Sequence, residues 1–215
     1  MTAISPITTN PEHIGLDIET DTSGVTPDGE RTGLDPRYTP ILSAALWLGS
    51  TGEFFDDESE KRLISNINEC IMDQVRSFST LITWNGANFD MPFIKSRSIM
   101  NGLNIGLRLR DSDLRPPKYR VCPGYTHGQI AQWGTLDHVD IMYAYKDFAL
   151  SRGIRQGLKP VARALGFDPI EVDASKMELL SRPELRLYNL SDVRVTSQVA
   201  DVTDLEPYRD SRLFL

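Results

Sequence analysis

Four carboxylates and one phenol stand where their types and spacing can do chemistry. Asp17 and Glu19 alternate with Ile14, Leu16 and Ile18 over 13–19, so a period of two puts both acids on one strand face. A solvated polar face explains that pattern in an exposed strand. In the middle of an α/β sheet both faces are apolar, and two acids there repel unless a divalent cation sits between them. Asp90 closes the run Asn85-Gly86-Ala87-Asn88-Phe89-Asp90, with Pro92 just beyond it. Helix capping by Asn88 or Asp90 accounts for that run on its own. Tyr188, Asp192, Val195, Val199 and Val202 recur at spacings of four, three, four and three, which is one helical stripe. Three valines turn the stripe to the core, yet Asp192 lies on it. A buried carboxylate is costly unless paired or metal-bound, so Asp192 either meets an arginine such as Arg155 or Arg163 or holds an ion.

The elements that must position these residues follow from periodicity. A Thr-, Gly-, Pro- and Asp-rich loop fills 20–40, and strands are expected at 41–48 and 53–55. The acidic run Asp56-Asp57-Glu58 predicts a helix start, with Leu63, Ile67, Cys70, Ile71, Val75 and Phe78 as its apolar stripe to about 79. Cys70 reads there as a buried thiol. A strand at 80–84, a helix at 88–100, a strand at 135–141 and helices at 142–151 and 157–165 come next. Residues 101–134 show no clear period beyond a possible strand at 105–109. Ser181-x-x-Glu184, with Pro183, starts the last helix, to about 202. Early strands followed by βα alternation predict an α/β domain with a mixed sheet.

Composition narrows the class. The 215 residues suit one domain, 1–215, and 40 % hydrophobic with 25 % charged residues excludes a disordered or collagen-like chain. The best apolar stretch, 41–48, is broken by Ser43, and no basic-then-apolar leader is visible, so neither a membrane span nor a signal peptide is expected. Two cysteines, Cys70 and Cys122, point to a reduced, cytoplasmic protein. A net charge of −7 argues against coating nucleic acid by bulk electrostatics, and leaves room for carboxylates that hold metal ions. No Gly-rich phosphate loop follows a strand, which removes Rossmann and P-loop classes.

Gly15-Leu16-Asp17-Ile18-Glu19-Thr20, Asn85-x-x-Asn88-Phe89-Asp90-x-Pro92 and Tyr188-x-x-x-Asp192 together resemble the three exonuclease motifs of the DEDDy family. These are 3′–5′ exonucleases of the DnaQ-like, ribonuclease H-like superfamily, and the likeness is greatest to proofreading domains of family B DNA polymerases. Thr32-Gly33-Leu34-Asp35-Pro36-Arg37 and Gly157-Leu158-Lys159-Pro160-Val161-Ala162 are similar to further stretches of that family. The likeness spans about 13–205, with apparent insertions at 21–31 and 101–134. It implies a ribonuclease H-like mixed sheet, three antiparallel strands then parallel ones, flanked by α-helices.

The resemblance implies Asp17, Glu19, Asp90 and Asp192 as metal ligands for two Mg²⁺ or Mn²⁺ ions. Asp17 would bridge both, Glu19 and Asp192 would hold the water-activating ion, and Asp90 would support the other through water. Tyr188, a turn before Asp192, would orient the attacking water. Substrate contacts are expected from Thr20, Asn88, Phe89, Asp140 and Lys159, with packing the alternative for Phe89 and a structural hydrogen bond for Asp140. Arg108, Arg110, Arg115, Lys118 and Arg120, interleaved with Tyr119 and Tyr125, read either as a path for single strands or as a solvated loop. The implied activity is hydrolysis at the 3′ end of single-stranded DNA, releasing nucleoside 5′-monophosphates. Alternatives are an exoribonuclease of the same fold, or a catalytically silent nucleic-acid-binding or adaptor module. A separate DNA polymerase or sliding clamp, the latter through Ser211–Leu215, is the implied protein partner.

Overall fold

The computed structural model describes residues 13–21, 23, 35–110, 120–122, 125–126, 130–172, 177 and 179–205, with the backbone alone at 110 and within 120–130. In chain order its elements are β1 (His13–Thr20), β2 (Ile41–Leu48), β3 (Thr51–Phe55), α1 (Glu60–Gln74), β4 (Thr80–Thr83) and α2 (Asp90–Met100). There follow β5 (Leu107–Arg110), β6 (Arg120–Cys122), β7 (Tyr125–Thr126), β8 (Ile130–Trp133) and β9 (Leu136–Asp140). A 3-10 turn (Ile141–Tyr145), α3 (Lys146–Arg152), α4 (Leu158–Ala164) and α5 (Arg182–Asp201) complete them.

Seven strands form one sheet in the order β3-β2-β1-β4-β9-β8-β5. Strands β3, β2 and β1 pair antiparallel, and β4 and β9 run parallel to β1, as the sequence led us to expect. The sheet then turns antiparallel again through β8 and β5; β5 overlaps the possible strand at 105–109, while β8 comes from the stretch that showed no clear period. Four-residue strands offer too few alternations to stand out, although Leu107 faces Trp133 across the ladder. Helix α1 starts later than the acidic run: Asp57 Oδ1 accepts the Ser59 N–H at 2.7 Å, so those acids cap the approach instead of entering the helix. It also stops at Gln74, short of the expected 79, and the segment after Asp140 divides into a 3-10 turn and α3.

The two faces of β1 sort the molecule into layers. Ile14, Leu16 and Ile18 pack with Leu63, Ile64, Ile67 and Ile71 of α1 and with Met91, Phe93 and Ile94 of α2. On the other side Val195 and Val199 of α5 join Ile82, Val139 and Val161 in a second core. Cys70 lies on the expected stripe beside the first core but is only partly buried. Arg97 of α2 ties the loop before β2 to both helices: it pairs with Glu60, whose Oε1 accepts the Ile41 N–H at 2.8 Å, and it donates to the Pro36 carbonyl at 2.8 Å.

Gly15 decides how near α5 can come. A Cβ at that position would lie 3.0 Å from Val193 Cγ2, 3.1 Å from the Val193 carbonyl and 3.3 Å from Trp47 Cβ. Overpacking of this kind costs about 1–3 kcal/mol. Gly15→Ala is expected to lower the unfolding free energy by that amount in urea titrations, and an unchanged midpoint would show that α5 yields freely.

Candidate active site

The acids gather where three parallel strands end, the edge at which open α/β sheets place their ligands. Strand β4 pairs with β1 only as far as Gly15, which faces Ile82. Beyond that point the Ile18 N–H is taken by Asp90 Oδ1 at 3.1 Å, so the first residue of α2 reaches across to β1. The turn that brings it there is tight. Asn85 has φ of 67°, and a Cβ on Gly86 would sit 2.1 Å from Thr83 Oγ1. Asp140, at the end of β9 and fully buried, holds this turn by accepting the N–H groups of Asn85 at 2.9 Å, Ala87 at 3.1 Å and Met142 at 3.2 Å. Asp140 is thus a scaffold for the turn through all three contacts, the structural alternative for that residue.

Asp17 and Glu19 project from the face of β1 that α5 covers. Asp17, Glu19 and Asp192 each place a carboxylate oxygen within 4.8 Å of the others. Asp90 stands beside this trio, close enough to act on the charge of Asp17 and Glu19. Burial drives the Asp17 and Glu19 carboxyls well above their ordinary range, with the Asp90 and Asp192 charges adding for both and the Glu19 charge adding for Asp17. Burial also raises Asp192, against the pull of Lys159, and pushes Asp90 up to about 7. Asp192 Oδ1 is buried with no hydrogen-bond partner among the described residues. An all-oxygen set, crowded with like charge and holding one orphaned acceptor, fits a hard divalent cation such as Mg²⁺ or Mn²⁺.

Tyr188 is one turn before Asp192 on α5, and its phenol lies against the trio. The Lys159 ammonium donates to its hydroxyl at 2.6 Å and meets Asp192 Oδ2 at 3.2 Å. Asp192 therefore pairs with a lysine of α4 and not with Arg155 or Arg163. Arg163, a turn further along α4, is engaged with Glu171 at 2.6 Å instead. Burial first, then the surrounding carboxylates, pushes the phenol far above its ordinary range. Tyr188, Asp192, Lys159, Arg155 and Arg163 line a cleft of about 570 Å³ between α4 and α5.

The remaining sequence candidates separate. Asn88 is buried beside the turn, donates to Asn85 Oδ1 at 2.9 Å and to the Tyr143 hydroxyl at 2.8 Å, and its own Oδ1 has no partner among the described residues. Thr20 is buried at the end of β1, just past a bulge after Glu19. Phe89 packs on the first core with its ring 5.1 Å from Phe93, the packing alternative for that residue. Arg108 is exposed on β5; the rest of the basic stretch and the Ser211–Leu215 tail lie outside the described side chains. Two participants escaped the sequence reading: Asn189, which donates to Asp17 Oδ2 at 2.6 Å, and Ser43, which donates to Asn189 Oδ1 at 3.2 Å. The signals for them were an amide inside the Tyr188–Asp192 motif and the break in the apolar run of β2.

A mixed sheet, antiparallel at its start and parallel beyond, with acids at the carboxyl edge, defines the ribonuclease H-like class of α/β domain. The chain belongs to the RNase_H superfamily, whose family model matches residues 27–182. It is 31 % identical over 153 residues to the catalytic subunit of DNA polymerase epsilon from Kluyveromyces lactis, and 28 % identical over 146 residues to that from Yarrowia lipolytica. These matches take in 67 % and 66 % of this chain and 6 % of each relative. A DNA polymerase of Methanocaldococcus jannaschii is 28 % identical over 109 residues, which is 43 % of this chain and 6 % of that one. The chain thus spans a small part of its curated relatives. Its fold is shared with the family B DNA polymerase of Pyrobaculum calidifontis, at a TM-score of 0.61 and 19 % identity over 88 % of this chain and 24 % of that one. The likeness to these polymerases therefore holds in both sequence and fold.

Raised carboxyls bind protons in the folded chain that they release in the unfolded one. Their contribution to stability is full below the ordinary range near 4 and is lost as pH rises through the folded value, about 7 for Asp90. Asp90→Asn keeps an acceptor for the Ile18 N–H and removes the charge. In chelator it is expected to melt with wild type at pH 4 and above it at pH 8, each kcal/mol being worth about 2–4 °C in a domain of this size. Parallel melting curves from pH 4 to 8 would contradict this picture of the cluster.

Proposed function

We propose that this domain is a metal-dependent 3′–5′ exonuclease that trims single-stranded DNA by a two-metal mechanism. The observation that carries the proposal is the convergence of Asp17, Glu19 and Asp192 within 4.8 Å, with an orphaned buried oxygen on Asp192. Membership of the RNase_H superfamily and the relatives named DNA polymerases support nuclease action, and DNA as its substrate. Of the described residues, no helix is long and apolar enough to cross a membrane.

In this reading Asp17, Glu19 and Asp192 hold divalent cations, with Asp90 assisting from the side. Bound there, such cations make water more acidic and neutralise the charge that builds on the phosphoryl oxygens. The water oxygen forms a bond to phosphorus, the bond from phosphorus to the 3′ oxygen breaks, and that oxygen leaves with a proton as the new 3′ hydroxyl. The products are a nucleoside 5′-monophosphate and a strand one residue shorter. Tyr188 keeps its proton at neutral pH, so its hydroxyl orients the water and does not act as a base. Lys159 supplies positive charge next to Asp192 and at the wall of the cleft, which has the volume of a small-ligand site. Asn88 and Thr20 stand on the same edge, within the reach expected of contacts to the terminal nucleotide. A separate DNA polymerase as partner belongs to the same proposal.

The test is a gel of 5′-labelled single-stranded DNA and RNA incubated with Mg²⁺, Mn²⁺ or chelator, beside Asp17→Ala. A metal-dependent ladder shortening from the 3′ end, absent in the variant and stronger on DNA, is expected. Preference for RNA would make the domain an exoribonuclease, and no ladder in any metal, with strand binding retained, would make it a silent binding module. Tyr188→Phe is expected to lower turnover by roughly 10²-fold, the cost of removing one positioned polar group from such a site. Mn²⁺ binding should be unchanged in that variant; unchanged turnover would remove Tyr188 from the mechanism.

A further inference from the structure

Asn189 is fully buried on α5, where an amide destabilises the fold unless both of its ends are satisfied. Both are satisfied here. Its Nδ2 donates to Asp17 Oδ2 at 2.6 Å, and its Oδ1 accepts from the Ser43 hydroxyl at 3.2 Å. Ser43 is also fully buried, and it stands directly opposite Glu19 across the ladder of β1 and β2. Ionised, as it would be with a cation bound, the Asp17 carboxylate can only accept, so the amide then turns its NH₂ to Asp17 and its carbonyl to Ser43. The serine hydroxyl then holds that orientation from the far side. Nothing in the packing of α5 requires an amide at this point, because Val193, one turn on, meets the same strand with an aliphatic side chain.

We propose that Asn189, held by Ser43, is the positioning residue that sets the direction of the Asp17 carboxylate for divalent-cation binding. The inference rests on the acid trio being a cation site. By engaging Oδ2, the amide fixes the plane of the carboxylate within the crowded trio. It is one link of a chain that runs from β2 through α5 back to β1. Partners of this kind typically govern metal affinity by 10–100-fold.

The experiment compares Mn²⁺ binding, by electron paramagnetic resonance without DNA and well below the unfolding temperature, in wild type, Asn189→Leu and Ser43→Ala. Asn189→Leu keeps the volume and removes both hydrogen bonds; it is expected to weaken Mn²⁺ about tenfold while retaining native circular dichroism. Ser43→Ala leaves the donor in place but frees the amide, so a smaller loss in the same direction is expected. A merely structural amide would lower the melting temperature and leave the Mn²⁺ affinity of the folded protein unmoved. Wild-type affinity in Asn189→Leu would overturn the inference and leave the cation site standing. Should that variant fail to fold, wild-type affinity in Ser43→Ala would overturn it instead. No Mn²⁺ binding by wild type would remove the cation site and the inference together.

Discussion

The whole site depends on α5 lying almost against the backbone of β1. Most helices pack on sheets through interleaved side chains. Here Gly15 gives none, and the Val193 carbonyl comes within 3.1 Å of where a Cβ would be. The next residue on that face is Asp17. A helix held so near delivers Asn189 and Asp192, on neighbouring turns, to the same pair of strand carboxylates. Tyr188 then falls beside them because it precedes Asp192 by one turn. Gly52 contributes to the same approach: a Cβ there would meet Leu190 of α5 at 2.8 Å. Two missing side chains thus set the position of Tyr188, Asn189 and Asp192.

That closeness is paid for in electrostatics. Burial raises all four acids, and like charge pushes three of them further: Asp17 and Glu19 within the cluster, and Asp90 through Asp140. The fold relieves this with few groups: the Lys159 ammonium at Asp192, the Asn189 amide at Asp17, and the Ile18 N–H at Asp90. Local conflict retained in an otherwise consistent core marks a functional site. By contrast Asp140, fully buried, receives three backbone N–H groups and serves the turn. The difference between the clustered acids and a structural one lies in how many donors the fold supplies.

Much of this arrangement was legible in the sequence. The alternation of 13–19 placed Asp17 and Glu19 on one face, and the spacing from Tyr188 to Val199 placed Asp192 on the buried stripe of α5, although Val202, just past the helix end, is exposed. What could not be read were quantities set by long-range approach. The spacing along α5 says that Asp192 is buried, but not that Lys159 of α4, and not an arginine, meets it. Ser43 in the sequence is only a break in an apolar run; its partner lies 146 residues away on α5. Strand β8 was hidden for another reason, and β5 was legible only as a possible strand at 105–109. Each is four residues long, and an alternation of two pairs is indistinguishable from chance until Trp133 is seen opposite Leu107.

The acids come from three layers, and this has a consequence for how the site and the fold depend on one another. Asp90 belongs to α2 on one side of the sheet, Asp192 to α5 on the other, and Asp17 and Glu19 to the strand between. No one layer can assemble the set, so the four acids come together only when both cores are packed. A cation that binds this assembled set and not the unfolded chain stabilises the folded state by mass action. The same cation also removes the repulsion that raises the carboxyls. Under the proposed function, loading the site and completing the fold would be coupled, and Gly15 and Gly52, which set the approach of α5, would act on both without touching a ligand.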